Sequence, residues 1–251
     1  MSIKILVIHT TGLIGKSTTV ASLLHPRLKD ARVFSVEKQN QDASRYGISV
    51  DVYLPADIKK LRENTVLETN NLIVDVGSSQ YAEVVKEFGR LRGSINDFDV
   101  VIVPTIPDQR AQEETLTTIE GLRKVGLHPE KLRILFNKAT IEPDGPLEAE
   151  FEDILVYLHQ HQELPFYEDL VLYDNPIHSD LRSEGLSFET VLKDTTDYRT
   201  AVKEAVKNAP RSPETLRLVR RMGLQLAVNS AQRDLDAAFV ALRLPTVAAE
   251  A

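Results

Sequence analysis

Residues 3–19 constrain this chain more than any other stretch. Ile3-Lys4-Ile5-Leu6-Val7-Ile8 is a short, nearly continuous apolar run. It passes through His9-Thr10-Thr11-Gly12-Leu13-Ile14 into Gly15-Lys16-Ser17-Thr18-Thr19 and the helix-like Val20-Ala21-Ser22-Leu23-Leu24. A buried strand that turns through glycine into a helix start aims several backbone N–H groups at one point, where an anion is held without a full protein counter-charge. In such a turn Thr11, Gly12, Leu13, Ile14, Gly15, Lys16, Ser17 and Thr18 wrap a phosphate chain. Lys16 reaches the outer phosphates as a point charge, and the Ser17 hydroxyl ligates the Mg2+ that accompanies a nucleoside triphosphate. The position five before Gly15 is Thr10 rather than the glycine of the GxxxxGK[ST] pattern, so the loop is irregular around an intact Gly-Lys-Ser core.

Further β-branched runs at 33–36, 72–76, 100–103 and 133–136 are continuous rather than alternating, as strands buried on both faces of a parallel sheet are. Helix candidates fall between them, at 16–24, 55–63, 80–92, 110–125, 146–161 and 195–208. The alternation predicts a doubly wound, mostly parallel α/β sheet flanked by helices, with ligands at the carboxyl ends of the strands. Residues 1–208 are expected to form the nucleotide-binding domain. Residues 209–251 are expected to form a helical C-terminal extension whose last residues, 245–251, are disordered. The chain has no cysteine, which excludes disulfides and thiolate metal sites and suits a reducing compartment. No segment approaches the roughly 20 apolar residues that span a bilayer, and the expected address is the cytoplasm.

The strand-end rule directs attention to two further residues. Asp75 closes Leu72-Ile73-Val74-Asp75, where a second magnesium contact belongs; the bland alternative is a cap on the turn at Gly77-Ser78-Ser79. Asn137 ends Arg133-Ile134-Leu135-Phe136, and its amide carries the donor and acceptor needed to read a purine edge, or simply closes a turn. A guanine reader wants an aspartate two residues after Lys138; Thr140 stands there, which favours adenine.

Together these residues resemble the ParA/MinD family of deviant phosphate-loop ATPases, which position plasmids, chromosomes and division proteins. The resemblance covers roughly residues 1–208. Besides the loop, the Asp75 strand and Asn137, it takes in Val101-Ile102-Val103-Pro104, the segment from Asp174 to Gly185, and Asp197-Tyr198-Arg199. Within the family the chain is most similar to the plasmid-stability StbB proteins, whose first helix also runs into a stretch like His25-Pro26-Arg27. The resemblance implies ATP and Mg2+ as cofactors, a homodimer on ATP binding, DNA contact, and a plasmid-encoded DNA-binding partner. Two departures matter. Where the family loop has a lysine that reaches across the dimer, this chain has Thr11, and its second glycine is Leu13. Loss of a cation at the transferring phosphoryl removes stabilisation of the kind an arginine finger gives, about 10³-fold or more. The water-orienting carboxylate of the family falls on Val36-Glu37-Lys38-Gln39-Asn40-Gln41-Asp42, with Glu37 the first candidate and Asp42 the second.

His159, His161 and Glu163 are too poorly spaced on a helix to share a metal, and Ser78-Ser79 has no histidine at a useful spacing for hydrolase chemistry. In the tail, Leu216, Val219, Met222 and Leu226 follow helical spacing with Arg217, Arg220 and Arg221 opposite, though Leu224 interrupts the polar side. The expectation is docking through that apolar stripe, then DNA phosphate contact through the three arginines; a membrane ranks last because the helix lacks interfacial aromatics. The formal charge of −7 divides into +2 for residues 209–251 and −9 for the remainder, which fits an anionic partner reached by the tail. The function expected is an ATP-dependent partition switch. Its rivals are a nucleotide-binding adaptor without hydrolysis and a small-molecule kinase or synthetase; the latter is disfavoured because Arg45 is the single arginine in the polar segment 37–50.

Overall fold

The computed structural model describes residues 2–37, 43–140 and 147–245. Seven strands make one sheet: β1 (Lys4–Val7), β2 (Arg32–Val36), β3 (Asp51–Tyr53), β4 (Leu72–Val76), β5 (Val100–Thr105), β6 (Leu132–Ala139) and β7 (Val171–Tyr173). Their order is β3-β2-β4-β1-β5-β6-β7, and every neighbouring pair is parallel. From central β1 the chain moves out to β2 and β3, returns to β4, and crosses to β5 on the other side. This is the doubly wound α/β fold that the repeated strand-then-helix pattern predicts. The five predicted strands are the inner ones. The two edge strands, each three residues long, carry too little pattern to be read.

Successive residues of a strand point to opposite faces, and the core divides accordingly. Ile5, Val7, Ile73 and Ile102 pack on one side with the helix after the loop, whereas Leu6, Ile8, Val74 and Val101 pack on the other. The second side is covered by α2 (Ile58–Leu67), α3 (Tyr81–Arg90), α4 (Gln109–Lys124) and α5 (Glu152–Gln160). The helix after the loop is short, α1 (Lys16–Thr18), and continues as a π-helical stretch over Thr19–Leu24 in which every residue is buried. α6 (Ile177–Glu184) and α7 (Phe188–Leu192), neither among the helix candidates, follow β7, and α8 (Tyr198–Asn208) leads into the long α9 (Pro213–Ala241).

α9 opens on an N-cap, with the Thr215 N–H donating to Ser212 Oγ at 3.1 Å and Pro213 in the first turn. Its docked face corrects the expectation. Leu216, Val219 and Leu226 are exposed, and the buried line is Leu224, Val228, Ala231, Leu235, Ala238 and Ala241. This line joins the core cluster that holds β1 residues and the first helix. Two apolar lines interleave on α9; the buried one contains three alanines and so carries less apolar weight per residue. At its far end the Arg133 guanidinium, at the start of β6, donates to the Leu242 carbonyl at 2.6 Å. Residues 246–251, most of the expected disordered end, lie outside the described residues.

Candidate nucleotide-binding site

β1 and β4 pair with Val7 beside Asp75, so the loop that leaves β1 starts next to the carboxylate ending β4. Ser17 Oγ donates to Asp75 Oδ2 at 2.8 Å, and Asp75 is only 2% exposed. Lys16 is buried and its Nζ donates to the Thr11 carbonyl at 2.8 Å. Burial lowers the pKa of that ammonium, while the charges of Asp75 and then Glu37 act to raise it. Glu37 follows β2 and lies over Gly77, where a Cβ would come within 2.1 Å of Glu37 Oε2. Loop lysine, loop serine and two carboxylates thus converge from three adjacent strand ends. A hydroxyl and a carboxylate oxygen suit Mg2+, which takes one or two protein oxygens and completes its shell with phosphate and water. Asp42 lies outside the described residues.

The loop is braced from several sides. Gly15 has φ +90°, and a Cβ on it would sit 2.2 Å from Asn137 Nδ2. Asn137 donates to the Ile14 carbonyl at 2.7 Å, and Lys138 Nζ donates to the Leu13 carbonyl at 3.0 Å. Leu13 takes φ +63° and is 88% exposed, a strained conformation for a side chain at the mouth of the site. Behind the loop, fully buried His9 accepts from the Thr11 N–H at Nδ1 (2.9 Å), so the proton resides on Nε2, 2.9 Å from Thr115 Oγ1. Burial first, and the Lys16 charge second, push the His9 pKa down to about 3. Thr10 Oγ1 donates to Glu114 Oε2 at 3.1 Å, tying the same stretch to α4.

These groups line a cavity of about 490 Å3, within the usual range for small-molecule sites. Gly12, Leu13, Gly15, Lys16, Ser17 and Thr18 contribute to its wall, as do Glu37, Asp75 and Asn137. Thr11 and Ile14 act through their carbonyls, as acceptors for Lys16 and Asn137. The opposite wall is Asp174, Asn175 and Pro176 after β7, with His178 and Arg182 of α6, a segment the resemblance takes in but to which the sequence assigned no place in the site. Recognising Val171–Tyr173 as a strand would have placed that segment at a carboxyl end. His178 is held neutral, its pKa lowered to about 4 chiefly by burial, with Asp174 opposing. Tyr46, which sequence reasoning missed, places its hydroxyl 2.8 Å from Thr18 Oγ1. Arg217, Arg220 and Arg221 are on α9 and do not line this cavity.

The parallel sheet and the loop with its serine–aspartate contact make a phosphate-loop α/β fold. Three solved structures, of a MinD, a McdA and a ParA family ATPase, share this fold. The MinC:MinD cell division complex of Aquifex aeolicus superposes with a TM-score of 0.57 at 11% identity over 100% of this chain and 99% of that one. An ATP complex of a McdA variant from Cyanothece gives 0.56 at 10% identity over 98% of each chain. A ParA family ATPase from Chlorobium tepidum gives 0.50 at 12% identity over 94% and 98%. No protein-family model matches the chain, and no curated protein matches it in sequence.

Proposed function

We propose that this chain is a ParA-like, ATP-binding switch acting in plasmid stability or partition. The observation that carries the reading is the Ser17–Asp75 hydrogen bond at the foot of a cavity that also holds buried Lys16. A triphosphate would lie along Gly12 to Thr18, drawing Lys16 Nζ from the Thr11 carbonyl to a phosphate oxygen. Ser17 and Asp75 would hold Mg2+, which supplies charge neutralisation between the outer phosphates. Glu37, with Asp42 as second candidate, is suited to orient an attacking water, and Asn137 Oδ1 to accept from an adenine amino group. ATP binding would favour one conformational state, a homodimer, and that state would engage DNA through Arg217, Arg220 and Arg221 or a plasmid-encoded DNA-binding partner.

Thr11 supports a second reading. With no cation at the position from which the family lysine crosses to the partner's phosphates, the chain would bind nucleotide as an adaptor without appreciable hydrolysis. Binding and turnover of MgATP and MgGTP, for wild type and Lys16→Ala, with and without DNA, decide the matter. Absence of binding to either nucleotide by wild type sinks both readings, and brisk turnover by the isolated protein sinks the adaptor.

A further inference from the structure

The outward side of α9 carries a line of its own. Leu216, Val219, Gly223, Leu226, Ala237 and Val240 fall at heptad positions near the two ends of the helix, with Ser230 and Arg233 at the two positions between, and all are exposed. Leu216 and Leu226 are each 47% exposed and Val240 76%. A repeat of 3.5 residues is the seam on which a second helix packs. Gly223 is an independent sign of an outside body. Glycine inside a helix costs about 1 kcal/mol relative to alanine, yet a Cβ at Gly223 would meet nothing among the described residues within 4 Å. The packing of the described residues does not call for a glycine there; close approach from outside does. Beside it runs a groove of about 420 Å3, with Asp180 and Glu184 of α6 on one wall and Arg220 and Arg221 on the other.

We propose that this face pairs with α9 of a second copy of the chain, antiparallel and centred near Val228. In that register Leu216 meets the partner's Val240, Val219 meets the partner's Ala237, and Gly223 meets the partner's Arg233. The partner's Arg233 enters the room the glycine leaves, toward the carboxylates of Asp180 and Glu184. Arg220 flanks the seam opposite the partner's Asp234, and two-fold symmetry repeats every contact. Charge selects this direction. The first half of α9 carries Arg217, Arg220 and Arg221 against Glu214, whereas in the second Asp236 is paired with Arg27 at 2.8 Å, which leaves Asp234 beside Arg233. A parallel pair would set Arg220 beside Arg220 and Arg233 on Arg233. One helix about 43 Å long on each side makes a modest interface and a micromolar affinity.

This pairing needs no nucleotide, which separates it from the ATP-dependent association proposed above. Sedimentation velocity of the full nucleotide-free chain over a concentration series is expected to show a monomer–dimer equilibrium. Arg220→Asp, an exposed substitution, is expected to weaken it about tenfold through two symmetric contacts, and Arg220→Asp with Asp234→Arg to restore it. Because the chain has no native cysteine, the double variant Val219→Cys/Ala237→Cys reports the register by forming a covalent dimer on mild oxidation. A monomer at every concentration, a dimer seen only with MgATP, or cross-linking by Leu226→Cys alone as efficient as by the pair would each overturn the proposal. Loss of ATP binding with the dimer intact would instead count against the switch and leave this pairing standing.

Discussion

The phosphate loop and α9 handle polar and apolar groups in opposite ways. Around the loop, side chains are tied to partners inside the chain: Ser17 to Asp75, Asn137 to the Ile14 carbonyl, His9 to the Thr11 N–H. α9 buries one line of side chains and leaves a second, which includes Leu216, Val219, Leu226 and Val240, in water. A loop whose backbone is braced in this way would meet an anion with its N–H groups already placed, leaving Lys16 and the Ser17–Asp75 contact to rearrange. An exposed heptad line has the reverse property, since its groups gain contacts only when another body arrives.

That contrast is tested by five measurements, in descending order of effect. Lys16→Ala should weaken MgATP binding about 1,000-fold in calorimetry through loss of roughly two charge-assisted contacts, with circular dichroism unchanged; undiminished affinity would take Lys16 out of the site. On the docked line of α9, Leu235→Ala should lower unfolding free energy by about 3 kcal/mol, as large-to-small core changes do. Gly15→Ala should cost about 2 kcal/mol from strain at positive φ and the collision with Asn137, and Asn137→Ala should relieve part of it, so that the double variant is less destabilised than the sum. Strict additivity would show that the two residues do not meet.

The fourth measurement concerns pH. The folded-state pKa of His9, about 3, is below its ordinary 6.5, so in that window the unfolded chain binds a proton that the native chain excludes. Stability is therefore full above the ordinary value and falls as pH drops toward the folded one, by at most about 1.4 kcal/mol per pH unit for this group. Urea titrations of wild type between pH 7 and 5.5, where the loss reaches about 1.4 kcal/mol, should show the decline, and His9→Gln should flatten it; parallel slopes would mean that His9 is not the group. The smallest effect is expected at Leu13. Replacing it with glycine removes a left-handed side chain at an exposed site and should stabilise the protein by about 0.5 kcal/mol after the entropy cost of glycine. A shift to lower stability would assign Leu13 a packing role that its exposure denies.

How much of this was legible beforehand depended on the kind of signal. That Lys16, Ser17, Asp75 and Glu37 come together could be read because strand ends fix where such residues gather. The inner strands were equally readable, being long, continuous and apolar. The β7–α6 wall of the cavity was hidden behind a three-residue strand, and Tyr46 behind a polar stretch with no periodicity. On α9 the obstacle was degeneracy. Two lines share one helical period, the buried one uses Ala231, Ala238 and Ala241, and a count of large side chains selects the wrong one.

β6 has a mechanical meaning beyond its place in the sheet. Near its start Arg133 grips the carbonyl end of α9, and near its finish Asn137 and Lys138 grip the carbonyls of the phosphate loop. The two grips are four residues apart on one extended strand, about 13 Å. A tug on the C-terminal helix and a ligand seated in the loop therefore pull on opposite ends of the same short rod.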